Sequence, residues 1–137
     1  MICIQNVYKS FDQKSVLKGL TLEILEGETI VVVGRSGFGK SVLLKIIIGL
    51  INPDSGAILV DHVDVTKVHY RELQEVRKKI GMVFQGSALF DSLTVGQNVG
   101  LALRQHSGWP EERIRERVDE CLSLVDLRGT ASLYSSE

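Results

Sequence analysis

Residues 29–50 read TIVVVGRSGFGKSVLLKIIIGL, and this junction constrains the fold more than any other stretch. The run at 29–33 is short, apolar and rich in β-branched residues. Such runs suit a strand buried on both faces, as in a parallel sheet covered by helices. It leads into three closely spaced glycines, Gly34, Gly37 and Gly39, then a lysine, then a second apolar run. The second run predicts a helix from about residue 39 to 48, ended near Gly49. Strand, glycine loop and helix in succession set an α/β expectation.

The flanking sequence extends it. ICIQNV alternates loosely and LTLEIL clearly, which predicts two strands, with the polar KSFDQKS as the turn between them. INPDSG is a turn and AILVD another strand. YRELQEVRKK is helical, with Leu73, Val76 and Ile80 on one side, and IGMVFQ is a further buried strand. Thr94 is placed to cap a helix over VGQNVGLALR. Pro110 fits the first turn of a last helix, in which Ile114, Val118, Cys121, Leu122 and Val125 recur at helical spacing and are expected to face a core.

Gly34, Gly39, Lys40 and Ser41 match the pattern G-x-x-x-x-G-K-[ST], with the strand before it and the helix after it. The chemistry accounts for each position. A phosphate chain must approach backbone N–H groups closely, and glycines remove the side chains that would block it. The N–H groups of Gly34, Arg35, Ser36, Gly37, Phe38 and Gly39 converge on the anion, and the helix N-terminus adds partial positive charge. Lys40 bridges the terminal phosphates, and the Ser41 hydroxyl is offered to Mg²⁺. The opposing reading is a glycine-rich turn that binds nothing.

Composition narrows the partners. A net charge of −1 argues against a nucleic-acid-binding surface, and the basic cluster at Arg77, Lys78 and Lys79 is expected to be a solvated helix face. The most apolar segment, interrupted by Lys45, is too short to span a bilayer. Cys3 and Cys121 suggest no disulfide framework, and His62, His69 and His106 have no metal-ligand spacing.

Three stretches carry a family resemblance: NVYKSFDQKSVLKGLTLEILEGE before the glycine loop, GLINPDSGAILVDHVDV after it, and IGMVFQGSALFDSLTVGQNV later. In this order and spacing the chain resembles the nucleotide-binding domain of ABC transporters over essentially all its 137 residues. QGSALFDSLTVGQNV and SLVDLRG are similar to the ATPases of Mla/Mce-type phospholipid transporters; amino-acid and other small-solute importers use a similar frame. The resemblance implies a P-loop NTPase fold, with an amino-terminal antiparallel β part and a mainly parallel core sheet flanked by helices. It implies ATP and Mg²⁺ as cofactors, membrane permease subunits and a second ATPase subunit as partners, and a place on the cytoplasmic face of the bacterial inner membrane. It makes 34–41 the Walker A loop and Gln85 the Q-loop glutamine, a ligand of Mg²⁺ or of the attacking water. Phe11 falls where an aromatic stacks on adenine; an ordinary apolar hairpin residue is the alternative, and Tyr8 is a second candidate for the stacking role.

After LYSSE the family continues into a signature motif beginning LSGG, then a Walker B strand, a catalytic glutamate and a switch histidine. None of these occurs in the sequence. AILVD superficially resembles Walker B, but it lies too early and is expected to be a plain β-hairpin. The chain is therefore read as a partial nucleotide-binding domain, residues 1–137 of a longer ATPase. By itself it is expected to bind ATP weakly at most, not to hydrolyse it, and to expose apolar strand surface.

Overall fold

A computed structural model describes residues 1–35, 37–86 and 88–134. The chain divides into two compact units, Met1–Met82 and Val83–Glu137. In the first, β1 (Ile2–Phe11), β2 (Lys14–Ile24), β3 (Ser55–Val60) and β4 (Val63–Asp64) form an antiparallel sheet in the order β2-β1-β3-β4. Two helices complete this unit, α1 (Lys40–Ile47) and α2 (Tyr70–Arg77).

The strands run further than their alternation predicts. The turn shrinks from KSFDQKS to Asp12 and Gln13, and Phe11 pairs with Lys14 at its mouth. The loose alternation of ICIQNV has a local cause. Asn6 has φ 49°, and the register of β1 shifts there against both neighbours, so the inward positions pass from Ile2 and Ile4 to Val7. β3 accommodates this irregularity with Gly56. At φ 93°, a Cβ on Gly56 would lie 2.5 Å from the Asn6 carbonyl oxygen and 2.7 Å from the Val7 Cα.

One core holds the unit together. Ile4, Val7, Leu17, Ile58 and Val60 from the sheet pack with Leu43, Ile46 and Ile47 of α1, Val65, and Val76 of α2. Leu73 and Ile80 join it partly buried, as the helical spacing of YRELQEVRKK predicts. Arg77 is not merely solvated. Its guanidinium donates to the carbonyls of Ile48 and Gly49, both at 2.9 Å, and so closes the C-terminus of α1. Lys78 and Lys79 are exposed, paired with Glu75 and Asp61. Asp61 follows β3 in the β3–β4 hairpin and also accepts from the Met1 ammonium at 3.0 Å, so AILVD is the plain hairpin expected of it.

Two predicted strands do not form. Among the described residues, neither TIVVVG nor IGMVFQ joins a ladder. Val31, Val32 and Val33 are 78%, 49% and 86% exposed, and Val83 is 95% exposed. β-branched composition favours a pleated, half-buried surface, but a strand exists only where another strand supplies its hydrogen bonds. The exposed apolar surface expected from the sequence is present at these two runs.

The second unit is a helical hairpin, α3 (Val95–His106) and α4 (Glu111–Leu124). Thr94 caps α3 as predicted and in full: its Oγ1 accepts from the Gln97 N–H, and Gln97 Oε1 accepts from the Thr94 N–H. Ile114, Val118 and Leu122 form the buried core with Val95, Leu103, Trp109 and Ala131. The predicted α4 stripe ends sooner. Cys121 is half-buried and Val125, past the last turn, is 63% exposed. Arg104 and Glu111 make a two-pronged ion pair at 2.7 and 3.1 Å, and Arg113 stacks 3.8 Å from the centre of the Trp109 ring.

Candidate nucleotide-binding site

The glycine loop begins where the exposed valine run ends and closes at α1. Gly39 precedes the helix at φ 87°, and Leu43 N–H donates to the Gly39 carbonyl at 2.8 Å to open the helical ladder. A Cβ on Gly39 would lie 2.8 Å from Val16 Cγ1 and 3.0 Å from the Val16 carbonyl oxygen. The loop is therefore pressed directly onto β2, and only glycine fits the contact. Phe38 N–H donates to Arg35 O at 3.4 Å, and the Phe38 ring is 68% exposed.

Lys40 is the first residue of α1, yet its side chain turns back. Its Nζ donates to Gly34 O at 2.5 Å and to Arg35 O at 2.8 Å. One cation thus spans the loop from its last turn to its first, beside the positive end of the helix. Ser41 is exposed in the first turn of α1. Ser36 lies outside the described residues, and Arg35 is exposed.

A second cation stands nearby, and reading the sequence did not single it out. Lys14 opens β2, and its Nζ lies 3.6 Å from where a Cβ on Gly37 would be. Lys14, Val16, Lys18, Thr21, Gly37 and Phe38 help line a cavity of about 710 Å³ along β2. The only signal for Lys14 was its place opposite Phe11 across a two-residue turn, which depends on register. Phe11 is 43% exposed. Tyr8 is equally exposed, but its ring packs over Gly19: a Cβ there would lie 2.7 Å from the Tyr8 hydroxyl. That contact engages the hydroxyl end of Tyr8, whereas the Phe11 ring has the Lys9 ammonium 5.4 Å from its centre. Gln85 is exposed in the second unit, outside any strand.

The donors present fit a polyphosphate: two ammonium groups, a helix N-terminus and glycines with no side chains in the way. For a divalent cation, the Ser41 hydroxyl offers one hard oxygen ligand. The described residues contain no cluster of three or more His, Cys, Asp or Glu side chains that could hold a metal ion. A Mg²⁺ ion here fits only as the companion of phosphate oxygens, its usual setting in such sites.

The sequence matches the family model described as ABC transporter over residues 17–135. The chain belongs to the ABC transporter family. The chain is 39% identical to the intermembrane phospholipid transport system ATP-binding protein MlaF of Haemophilus influenzae, over 100% of this chain and 52% of MlaF. It is 42% identical to the sulfate/thiosulfate import ATP-binding protein CysA of a Synechocystis species, over 99% of this chain and 37% of that relative. Among solved structures it superposes, with a TM-score of 0.91 and 33% identity, on a dimeric ATP-binding cassette in a post-hydrolysis state bound to ADP and Pi. That superposition covers 99% of this chain and 62% of the cassette. The P-loop NTPase fold class therefore stands, although two of its expected strands lack ladders here. As a member of the ABC transporter family, the chain spans about two-fifths to half the length of these curated relatives.

Proposed function

We propose that this chain is the ATP-binding portion of an ABC transporter ATPase, with residues 34–41 as its Walker A loop. The observation that carries the reading is Lys40: its ammonium, at the N-terminus of α1, is held by the Gly34 and Arg35 carbonyls across a loop that only glycine can press onto β2. Phosphate oxygens compete well for such a cation, because a charge-assisted bond to an anion is stronger than one to a carbonyl. Bound Mg-ATP supplies the phosphoanhydride. In the first unit, Lys40 and the loop N–H groups would hold its phosphates, Ser41 would ligate the metal and Phe11 would stack on the base; Gln85, in the second unit, is proposed by itself as the Q-loop glutamine.

The transport assignment is phospholipid movement at the bacterial inner membrane, with permease subunits and a second ATPase subunit as partners at the cytoplasmic face. QGSALFDSLTVGQNV and the MlaF likeness support it. The comparable likeness to a sulfate/thiosulfate import protein supports small-solute import as the second reading. No helix among the described residues is long and apolar enough to cross a membrane.

Thermal melting with and without Mg-ATP tests the reading. A ligand that binds only the folded state raises the melting temperature, and Lys40→Ala should abolish the rise. A rise that survives Lys40→Ala moves the site elsewhere. No rise for the wild-type chain with Mg-ATP overturns the reading.

A further inference from the structure

The loop joining α1 to β3 ends in Asp54, and three consecutive residues of β1 meet it. Asp54 N–H donates to Tyr8 O at 2.9 Å. The Lys9 ammonium donates to Asp54 Oδ1 at 2.7 Å, and Ser10 N–H donates to Asp54 Oδ2 at 2.6 Å. The β1–β3 ladder ends at the pair Tyr8–Ser55. Past that point the Asp54 carboxylate accepts from β1 in place of a neighbouring strand, at the Lys9–Ser10 step where the register against β2 also shifts.

Lys9 carries the effect one residue further. Its side chain is only 16% exposed, and its Nζ lies 5.4 Å from the centre of the Phe11 ring. A cation over an aromatic face is attracted by the ring quadrupole, so a held ammonium fixes the ring. The ring keeps 43% exposure, which leaves surface for a second planar group. Lys14, the register partner of Phe11, lies against Gly37 of the glycine loop, so this hairpin mouth adjoins the phosphate end.

We infer that Asp54, acting through Lys9, is a positioning residue that sets the Phe11 ring for stacking on a nucleotide base. The inference rests on the reading of residues 34–41 as the phosphate end of that site. One helix then serves both ends of the ligand: α1 presents its N-terminus to the phosphates, and the loop after its C-terminus fixes the ring that meets the base.

Equilibrium binding of two probes to the full chain tests this: ATP, which has a base, and inorganic tripolyphosphate, which does not. Asp54→Asn should weaken ATP by roughly fivefold or more, the scale of a lost stacking contact, and leave tripolyphosphate unchanged. Lys9→Met should reproduce that split, and carries the test if Asp54→Asn does not fold. Asp54→Glu should restore part of the ATP affinity. Asp54→Asn in a Phe11→Ala background should cost nothing further, because both act on one contact. Equal losses for both probes, or full additivity with Phe11→Ala, overturn the inference. If Lys40→Ala abolishes binding of both probes while Asp54→Asn changes neither, the phosphate site stands and the positioning role falls. If Lys40→Ala leaves both probes bound as before, the site reading itself has failed and this inference with it.

Discussion

Two short runs of this chain have nearly the same composition and opposite fates. Residues 57–60, AILV, lie in β3 between β1 and β4, with Ile58 fully buried and Val60 5% exposed. Residues 29–33, TIVVV, join no ladder, and Val31 and Val33 stand in solvent. Both have the side chains that strands favour. The difference lies in what is beside them: β3 has a hydrogen-bonding neighbour on each edge, and the other run has none among the described residues. Strand propensity is a preference for a surface that other strands must build.

The contrast breaks most visibly in the core. Ile58→Ala should cost about 2–5 kcal/mol in urea unfolding, the range for deleting a buried aliphatic side chain. Val31→Ala should change stability by less than about 0.5 kcal/mol. Comparable losses at the two sites would mean that residues 29–33 are packed in solution.

Glycines sharpen the same comparison. Gly56→Ala places a methyl group against the β1 backbone at positive φ, and a loss of roughly 1–3 kcal/mol is expected. Gly81, beside the unpaired run at 82–84, has open space around it and no positive φ. Gly81→Ala should be neutral or slightly stabilising, by up to about 1 kcal/mol, because it restricts only the unfolded chain. Thermal melts of the pair decide the matter.

The helical hairpin depends on local devices instead, and smaller effects are expected there. Thr94→Ala removes the capping box and should cost about 1 kcal/mol, read as helix loss by circular dichroism. The smallest effect is pH-dependent. The Arg104 guanidinium hydrogen-bonds the Glu111 carboxylate and holds it below its usual range. A carboxyl depressed in the folded state stabilises the fold above its unfolded value and loses that contribution as pH falls through the folded one. Acidification below about pH 4.5 should therefore weaken the α3–α4 hairpin, and Glu111→Gln should flatten that part of the profile. An unchanged acid profile would show that the ion pair is too solvated to matter.

Legibility followed range. The helix over residues 40–47, the Thr94 cap and the core face at Leu73, Val76 and Ile80 were readable because each depends on neighbours within a few positions. The settings of Phe11 and Lys14 were not. They depend on a β1–β2 register shifted at several points, and on Asp54, more than forty positions from Phe11 in sequence. Nothing local to Arg77 says that the end of α1 lies within its reach, so its role as a cap is invisible in the sequence.

From the sequence alone came the glycine loop, its lysine and serine, the helix that follows and the family to which the chain belongs. These rest on residue identity at fixed spacing, and on dihedral freedom that only glycine supplies. The tertiary structure decided which apolar runs became strands, which aromatic ring received a held ammonium, and which carboxylate holds that ammonium. Hydrogen-bond partners, ring contacts and burial belong to pairs of distant residues, and a linear pattern specifies one member of each pair at a time.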